Sequence, residues 1–134
     1  MAHDHEIYMT LADIAAELQD LGALRKYAPA LEKLAERDNH QLYLAIAHRA
    51  FGVAHRLDDE RSAAETRLSK ALELFTQLGA LWQVGRTFFE LGTLHQAHSP
   101  AKARDYYLHA LESFEGVRAA PYAHRTNVAL ASLT

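Results

Sequence analysis

The stretch that decides the fold is FFELGTLHQAHSPAKARDYYLHA, residues 88–110. Apolar and small side chains recur in it at three- and four-residue spacing, which is typical of α-helices that bury one face. The pair SerPro interrupts this pattern with residues that begin helices. Ser99 is a favoured N-cap residue, and Pro100 can occupy the first helical position because the N–H that it lacks has no partner there. The stretch therefore predicts two helices joined by a short turn.

The rest of the chain has the same helix-forming character. Its 134 residues include only three prolines and six glycines, and no segment shows the apolar–polar alternation of a half-buried strand. Asp59 is predicted to cap the fourth helix, and Pro29 to kink the second helix or delay its start. The sequence predicts an all-α protein with seven helices, at about residues 6–21, 23–37, 40–57, 60–78, 80–97, 100–115 and 120–133.

An internal repeat of 40 residues relates these helices. The first helices of successive pairs align at four positions: Tyr8, His48 and Phe88; Leu11, Phe51 and Leu91; Ala12, Gly52 and Gly92; Ala15, His55 and His95. The second helices align as Ala23, Tyr27 and Ala30 with Ala64, Leu68 and Ala71 and with Ala103, Tyr107 and Ala110, which leaves one extra residue in the inner turn of the middle pair. Small residues let helices approach closely, and stacked pairs bury the faces that one pair leaves open. We expect a single domain, 1–134, with repeats at about 6–38, 40–78 and 80–115 and a closing helix at 120–134.

The most regular repeat resembles a known family. Its residues Phe88, Leu91, Gly92, His95, Ala103, Tyr107 and Ala110 resemble the tetratricopeptide repeat signature. The 40-residue period is similar to the longer variant found in large bacterial regulators. This resemblance implies a right-handed helical-repeat solenoid of three helix pairs plus a closing helix. It also implies a protein–protein interaction or scaffold module, and we expect the chain to be a fragment of a larger bacterial signalling or regulatory protein.

Composition and charge exclude several other classes. The chain has no cysteine, so disulfide scaffolds and thiolate metal sites are excluded. A formal charge of −3 and a pI near 6.3 argue against nucleic-acid binding, which needs a dense cationic surface. The apolar runs are too short to span a membrane, and the first residues do not form a signal peptide. The expected location is the cytoplasm.

Nine histidines raise the possibility of a metal site. They include His95 and His98 one helical turn apart, His48 and His55 on a common face, and His3 and His5 near the N-terminus. Metal sites need three or four convergent ligands, and His55 and His95 occupy equivalent repeat positions where packing is the simpler role. No GxSxG, Walker, GxGxxG or HExxH motif occurs. We therefore predict no enzyme, no catalytic residue, no metal and no cofactor, and a histidine-based metal-dependent enzyme is the least favoured alternative.

The first helix of each pair is expected to line a partner-binding groove. The predicted groove residues are Arg49, Val53, Arg56, Arg86, Phe89 and Gln96. They favour an acidic or amphipathic segment of another protein as the partner. A simpler alternative is that these arginines are only solvated and paired with Asp13, Glu17 or Glu90, without a role in binding. A further alternative is that the groove senses an effector or a peptide.

The closing helix carries apolar residues on more than one side. Val128 and Leu130 point in nearly opposite directions, and Leu133 lies with Leu130. One preceding helix pair cannot cover all three side chains. The sequence therefore predicts self-association through Val128, Leu130 and Leu133, most simply as a homodimer of C-terminal helices.

Overall fold

The computed structural model describes residues 2–133, and the side chains of residues 6–133. This part of the chain is all-α, without a strand, as predicted. Each of the seven predicted helices corresponds to an observed helix. The helices are α1 Ala2–Leu18, α2 Leu21–Arg37, α3 Gln41–Leu57, α4 Arg61–Gln77, α5 Leu81–His95, α6 Pro100–Gly116 and α7 Ala120–Ala131. None of these described helices is long and apolar enough to cross a lipid bilayer.

The helices form two compact units. Unit 1 comprises Met1–Leu74 and unit 2 comprises Phe75–Thr134, so the division falls inside α4 and within the predicted second repeat. In unit 1, α1 packs on α2 and on α3, and α2 packs on α3. In unit 2, α5 packs on α6 and α6 packs on α7. This packing of consecutive helices is consistent with a helical repeat, whereas its right-handed sense stays a prediction.

The same backbone conformation recurs every twenty residues at the ends of four helices. Gln19, Asn39, Asp59 and Gly79 have φ of 53°, 51°, 59° and 67°, in the left-handed region. In each case the N–H of the next residue donates to a carbonyl five residues before it, as Asp20 does to Ala15 at 2.9 Å. This is the Schellman arrangement, which satisfies carbonyls that a helix end leaves without partners. The prediction that Asp59 caps α4 is therefore wrong, because this residue instead terminates α3.

The register of the first repeat differs from the sequence alignment. The side chains that α2 buries are Leu24, Ala28, Leu31 and Ala35 rather than Ala23, Tyr27 and Ala30. They match the buried Ala64, Leu68, Ala71 and Phe75 at a spacing of 40 residues. The first two pairs are thus equal in length, and the predicted extra residue in the middle pair is wrong. The third pair is one residue shorter, because the turn between α5 and α6 has no residue with positive φ.

The positions kept small in the repeat are confirmed by close helix contact. A Cβ built on Gly52 would lie 2.5 Å from Leu68 Cγ in unit 1. A Cβ built on Gly92 would lie 2.6 Å from Tyr107 Cε1 in unit 2.

Pro29 does not delay the second helix, which is continuous from Leu21 through the proline to Arg37.

Candidate functional site

The predicted binding residues of α3 lie mostly in the interior of unit 1. Arg49 is only 1% exposed and Val53 is fully buried, so neither contributes to the open face that the sequence suggested. Arg49 Nη2 lies 3.0 Å from Asp13 Oδ1 on α1. This is one of the pairings predicted by the alternative in which the arginines do not bind a partner. A buried guanidinium needs such a carboxylate to offset the loss of its hydration. Arg49 therefore holds α3 against α1.

Arg56 is the more accessible cation of α3. It lies half-buried in the last turn of the helix, where a positive charge interacts favourably with the helix dipole. Its Nη2 donates to Gln19 Oε1 at 3.2 Å. Of the three α3 residues predicted to bind a partner, only Arg56 reaches the surface of unit 1.

In unit 2, the predicted residues form one stripe along α5. Arg86 is 8% exposed, Phe89 is half-buried and Gln96 is exposed. The Arg86 Nη1 donates to Gln83 Oε1 at 3.3 Å. Half-buried Thr93 fills the interval between Phe89 and Gln96. Because these positions are three or four residues apart, they share one helix face.

The ring of Phe89 is enclosed by an aromatic ring and a cation. The Tyr107 ring on α6 lies 5.2 Å away between centroids. The guanidinium carbon of Arg125, on α7, lies 5.0 Å from the Phe89 centroid, within the range of a cation–π interaction. Arg125 is exposed and was not among the predicted binding residues. Its only sequence signal is a basic side chain near the start of the closing helix.

A hydrogen-bond network fixes the other end of the stripe. The Tyr107 hydroxyl donates to Gln96 Oε1 at 3.1 Å and lies 3.0 Å from Thr93 Oγ1. Tyr107 itself is 1% exposed, so its position is set by the packing of α5 on α6. Thr93 also donates to the carbonyl of Phe89 at 3.1 Å. These contacts hold the side chains of Thr93 and Gln96 against the buried Tyr107.

We name Arg86, Phe89, Thr93, Gln96 and Arg125 the α5 patch. It combines two guanidinium groups, an aromatic ring and an exposed amide within unit 2. Guanidinium groups bind carboxylates through paired hydrogen bonds, and an aromatic ring accepts aliphatic side chains. The patch is thus suited to a segment that presents both carboxylates and apolar side chains.

Unit 1 also contains a cleft that was not predicted. It has a volume of about 660 Å³ and is lined by His48 and one face of α4, including Arg67 and Lys70. Arg67 forms an ion pair with Glu32, its Nη1 lies 3.0 Å from His48 Nδ1, and its guanidinium lies 4.1 Å over the Phe51 ring. Burial lowers the pKa of His48, and the positive charge of Arg67 lowers it further. The sequence contained one indication of this cleft, because His48 occupies the repeat position at which the other repeats have the aromatic residues Tyr8 and Phe88.

Two other histidines, His55 and His95, take part in local hydrogen bonding and packing. His55 Nδ1 lies 3.0 Å from Glu60 Oε1, and the His95 ring stacks on Tyr106 at 5.6 Å. Among the described residues, no group of three or more His, Asp or Glu side chains could hold a metal ion. His3 and His5 lie outside the residues whose side chains the structure describes.

The C-terminal apolar residues differ in exposure. Val128 is 57% exposed, and Leu130 and Leu133 are half-buried. Within α7 the structure buries Thr126, whose hydroxyl donates to the Tyr122 carbonyl at 2.7 Å. The self-association predicted for the first three residues stays a prediction.

Comparison of the chain with protein-family models, curated proteins and solved structures finds no match.

Proposed function

We propose that the chain is a protein–protein interaction module of the tetratricopeptide-repeat type. In this proposal the α5 patch holds an acidic or amphipathic segment of another protein. The observation that carries it is the half-buried Phe89 ring, which lies beside the exposed guanidinium of Arg125 and one helical turn from Arg86. Aromatic and arginine side chains are both enriched at protein interfaces.

The groups of the α5 patch have distinct roles in this proposal. Arg125 is exposed and forms hydrogen bonds to partner carboxylates while its guanidinium stays near the Phe89 ring. Arg86, which is largely buried, contributes positive potential rather than a flexible contact. Phe89 accepts an aliphatic side chain of the partner, and Gln96 supplies an amide at the far end. The charges increase the association rate and determine the orientation, and the ring contributes most of the buried apolar area.

Binding of a synthetic acidic amphipathic peptide, measured by fluorescence anisotropy, tests the proposal. We expect Arg125→Glu to weaken binding by about tenfold or more, because it replaces attraction by repulsion. Arg104→Glu is the matched control, since Arg104 is an exposed arginine of the same unit on α6. Equal losses in the two variants would show that only net charge matters and would contradict the α5 patch.

A second function, effector sensing, is favoured by the cleft beside His48. Its volume of about 660 Å³ is sufficient for a small ligand, and its lining includes the hydroxyl groups of Ser62, Thr66 and Ser69. A ligand that binds only the folded chain raises the thermal midpoint by mass action. A screen of polar metabolites should yield a saturable rise that Ser69→Leu abolishes, and a flat screen would remove this candidate.

The cellular context and the oligomeric state belong to the same proposal. We place the module in the cytoplasm, as part of a larger bacterial signalling or regulatory protein. Isolated chains associate through Val128, Leu130 and Leu133, as the sequence suggested. Sedimentation equilibrium on Leu130→Glu with Leu133→Glu should then show a monomer where the parent chain shows a dimer, and a monomeric parent chain would contradict this part.

A further inference from the structure

The guanidinium of Arg67 covers one face of an aromatic ring in unit 1. Its central carbon lies 4.1 Å from the centroid of Phe51, and Phe51 is half-buried. Arg67 lines the cleft of about 660 Å³ beside His48, whereas Phe51 lines a separate recess of about 160 Å³ together with Leu21 and other residues of α2 and α3. The guanidinium of Arg67 therefore lies between the cleft and the Phe51 ring.

Two side chains hold Arg67 over this ring. Glu32, on α2, forms an ion pair with Arg67 Nη1. The same Nη1 lies 3.0 Å from His48 Nδ1 on α3. Because a guanidinium has donors and no acceptor, Nδ1 accepts this hydrogen bond, and the proton of the neutral imidazole is on Nε2. The observed position of Arg67 is thus matched to a His48 that is not protonated at Nδ1.

The charged groups around His48 come from the helices beside α3. Burial lowers the pKa of His48, the positive charge of Arg67 lowers it further, Glu32 raises it in part, and Lys70 has a smaller lowering effect. Asp13 of α1, which also packs on α3, directs its carboxylate to the neighbouring arginine of α3. On balance these groups keep His48 neutral down to a pH below the ordinary value of 6.5.

We propose that Arg67 is a lid over the Phe51 ring that protonation of His48 releases. A protonated Nδ1 and Arg67 Nη1 are both donors, so repulsion replaces their hydrogen bond. Glu32 and His48 already contact the same nitrogen of Arg67, and Glu32 can therefore accept from His48 in its place. The Arg67 side chain, which is 29% exposed, then moves off the ring toward solvent. Acidification thereby opens the Phe51 ring to the cleft.

This lid is a property of unit 1 alone. It needs no bound ligand, so it depends neither on the α5 patch nor on effector sensing in the cleft.

NMR spectroscopy of the full chain over a range of pH tests the lid. At about pH 7.5, where a histidine of lowered pKa is neutral, we expect NOEs between the Arg67 side chain and the Phe51 ring. These NOEs should be lost as the Cε1–H resonance of His48 titrates below 6.5, with one midpoint for both changes. NOEs between the rings of Phe89 and Tyr107, which lie 5.2 Å apart in unit 2, should persist. Circular dichroism checks that the helices are retained across the range.

Three variants separate the lid from a general response to acid. In His48→Gln the amide oxygen still accepts from Arg67 but does not titrate, so the NOEs should persist at low pH. Lys70→Gln should move both midpoints to higher pH, because Lys70 lowers the pKa of His48. Lys70 is exposed, so this variant tests the proposal even if His48→Gln does not fold. His109→Gln is the matched control, since His109 is an exposed histidine of unit 2, and it should leave both midpoints unchanged.

Three results would overturn the proposal. One is survival of the NOEs between Arg67 and Phe51 after His48 is fully protonated. Another is their loss at the same pH in His48→Gln as in the parent chain. The third is loss of these NOEs only together with the helical signal, because the chain would then unfold rather than open a lid.

Discussion

Arg49 in unit 1 and Phe89 in unit 2 occupy the same position of the 40-residue repeat, yet their environments differ. Arg49 is buried and paired with Asp13, a residue of the helix pair before it. Phe89 stays half-buried beside Arg125, a residue of α7, the helix that follows its helix pair. The first arrangement stabilises the packing of two helices, and the second leaves a surface that another molecule can reach. The neighbouring helix, rather than the repeat position, decides which role the residue has.

The largest expected effect distinguishes the two roles directly. Asp13→Ala should lower the free energy of unfolding by about 3 kcal/mol, because it leaves the Arg49 charge buried without that carboxylate. Arg125→Ala should lower it by only about 0.5–1 kcal/mol, the range for an exposed cation–π pair. Urea unfolding followed by circular dichroism measures both. Equal effects would contradict the contrast between a structural and a surface role.

The second expected effect concerns the two glycines of one repeat position. Gly92→Leu should cost about 1–3 kcal/mol, since the new side chain meets the buried Tyr107 ring. Gly52→Leu should cost a similar amount, because the new Cβ meets the fully buried Leu68 at its Cγ and lies 3.3 Å from its backbone nitrogen. Gly116→Leu is the control, as a Cβ there meets nothing within 4 Å. Trp82 is the only tryptophan of the chain, and its ring lies 4.5 Å from Tyr122, so its fluorescence reports the unfolding of unit 2. An unchanged midpoint for Gly92→Leu would contradict the repeat frame.

The smallest expected effect is a pH dependence confined to unit 1. Burial and Arg67 lower the pKa of His48 below its ordinary value of 6.5, whereas the equivalent Phe88 cannot titrate. Between the folded pKa and 6.5 the unfolded chain binds more protons than the folded chain. Stability should therefore fall as the pH is lowered through this window. His48→Phe should flatten the dependence of the urea midpoint on pH below 6.5, and an equally steep dependence in this variant would contradict the role of His48.

Much of the fold could be predicted from the sequence because helix periodicity and the glycine positions are local signals. The seven helices and the contacts of Gly52 and Gly92 were of this kind. The register of α2 was not, because in a helix rich in alanine and leucine a shift of one residue still aligns small residues with small ones. Asp59 was misassigned because aspartate favours both N-caps and the left-handed conformation that ends α3.

The candidate site was less predictable, because its contacts join helices distant in sequence. Gln96 and Phe89 could be placed on the accessible stripe from helix geometry alone. The burial of Arg49 and Val53 depends on how closely α1 approaches α3, which periodicity does not report. Arg125 reaches Phe89 from the closing helix, for which the sequence predicted self-association but no part in the groove. The cleft at His48 is lined by side chains from α3 and α4 together.

The most direct measurement is an amide and side-chain NMR titration of the full chain with the acidic amphipathic peptide. The account predicts that resonance shifts concentrate at Arg86, Phe89, Thr93, Gln96 and Arg125, and that the amides of Ile7, Ile14 and Leu18 do not move. Shifts confined to α1 or to the face of α4 beside His48, or no shifts at saturating peptide, would contradict the assignment of the α5 patch as the binding surface.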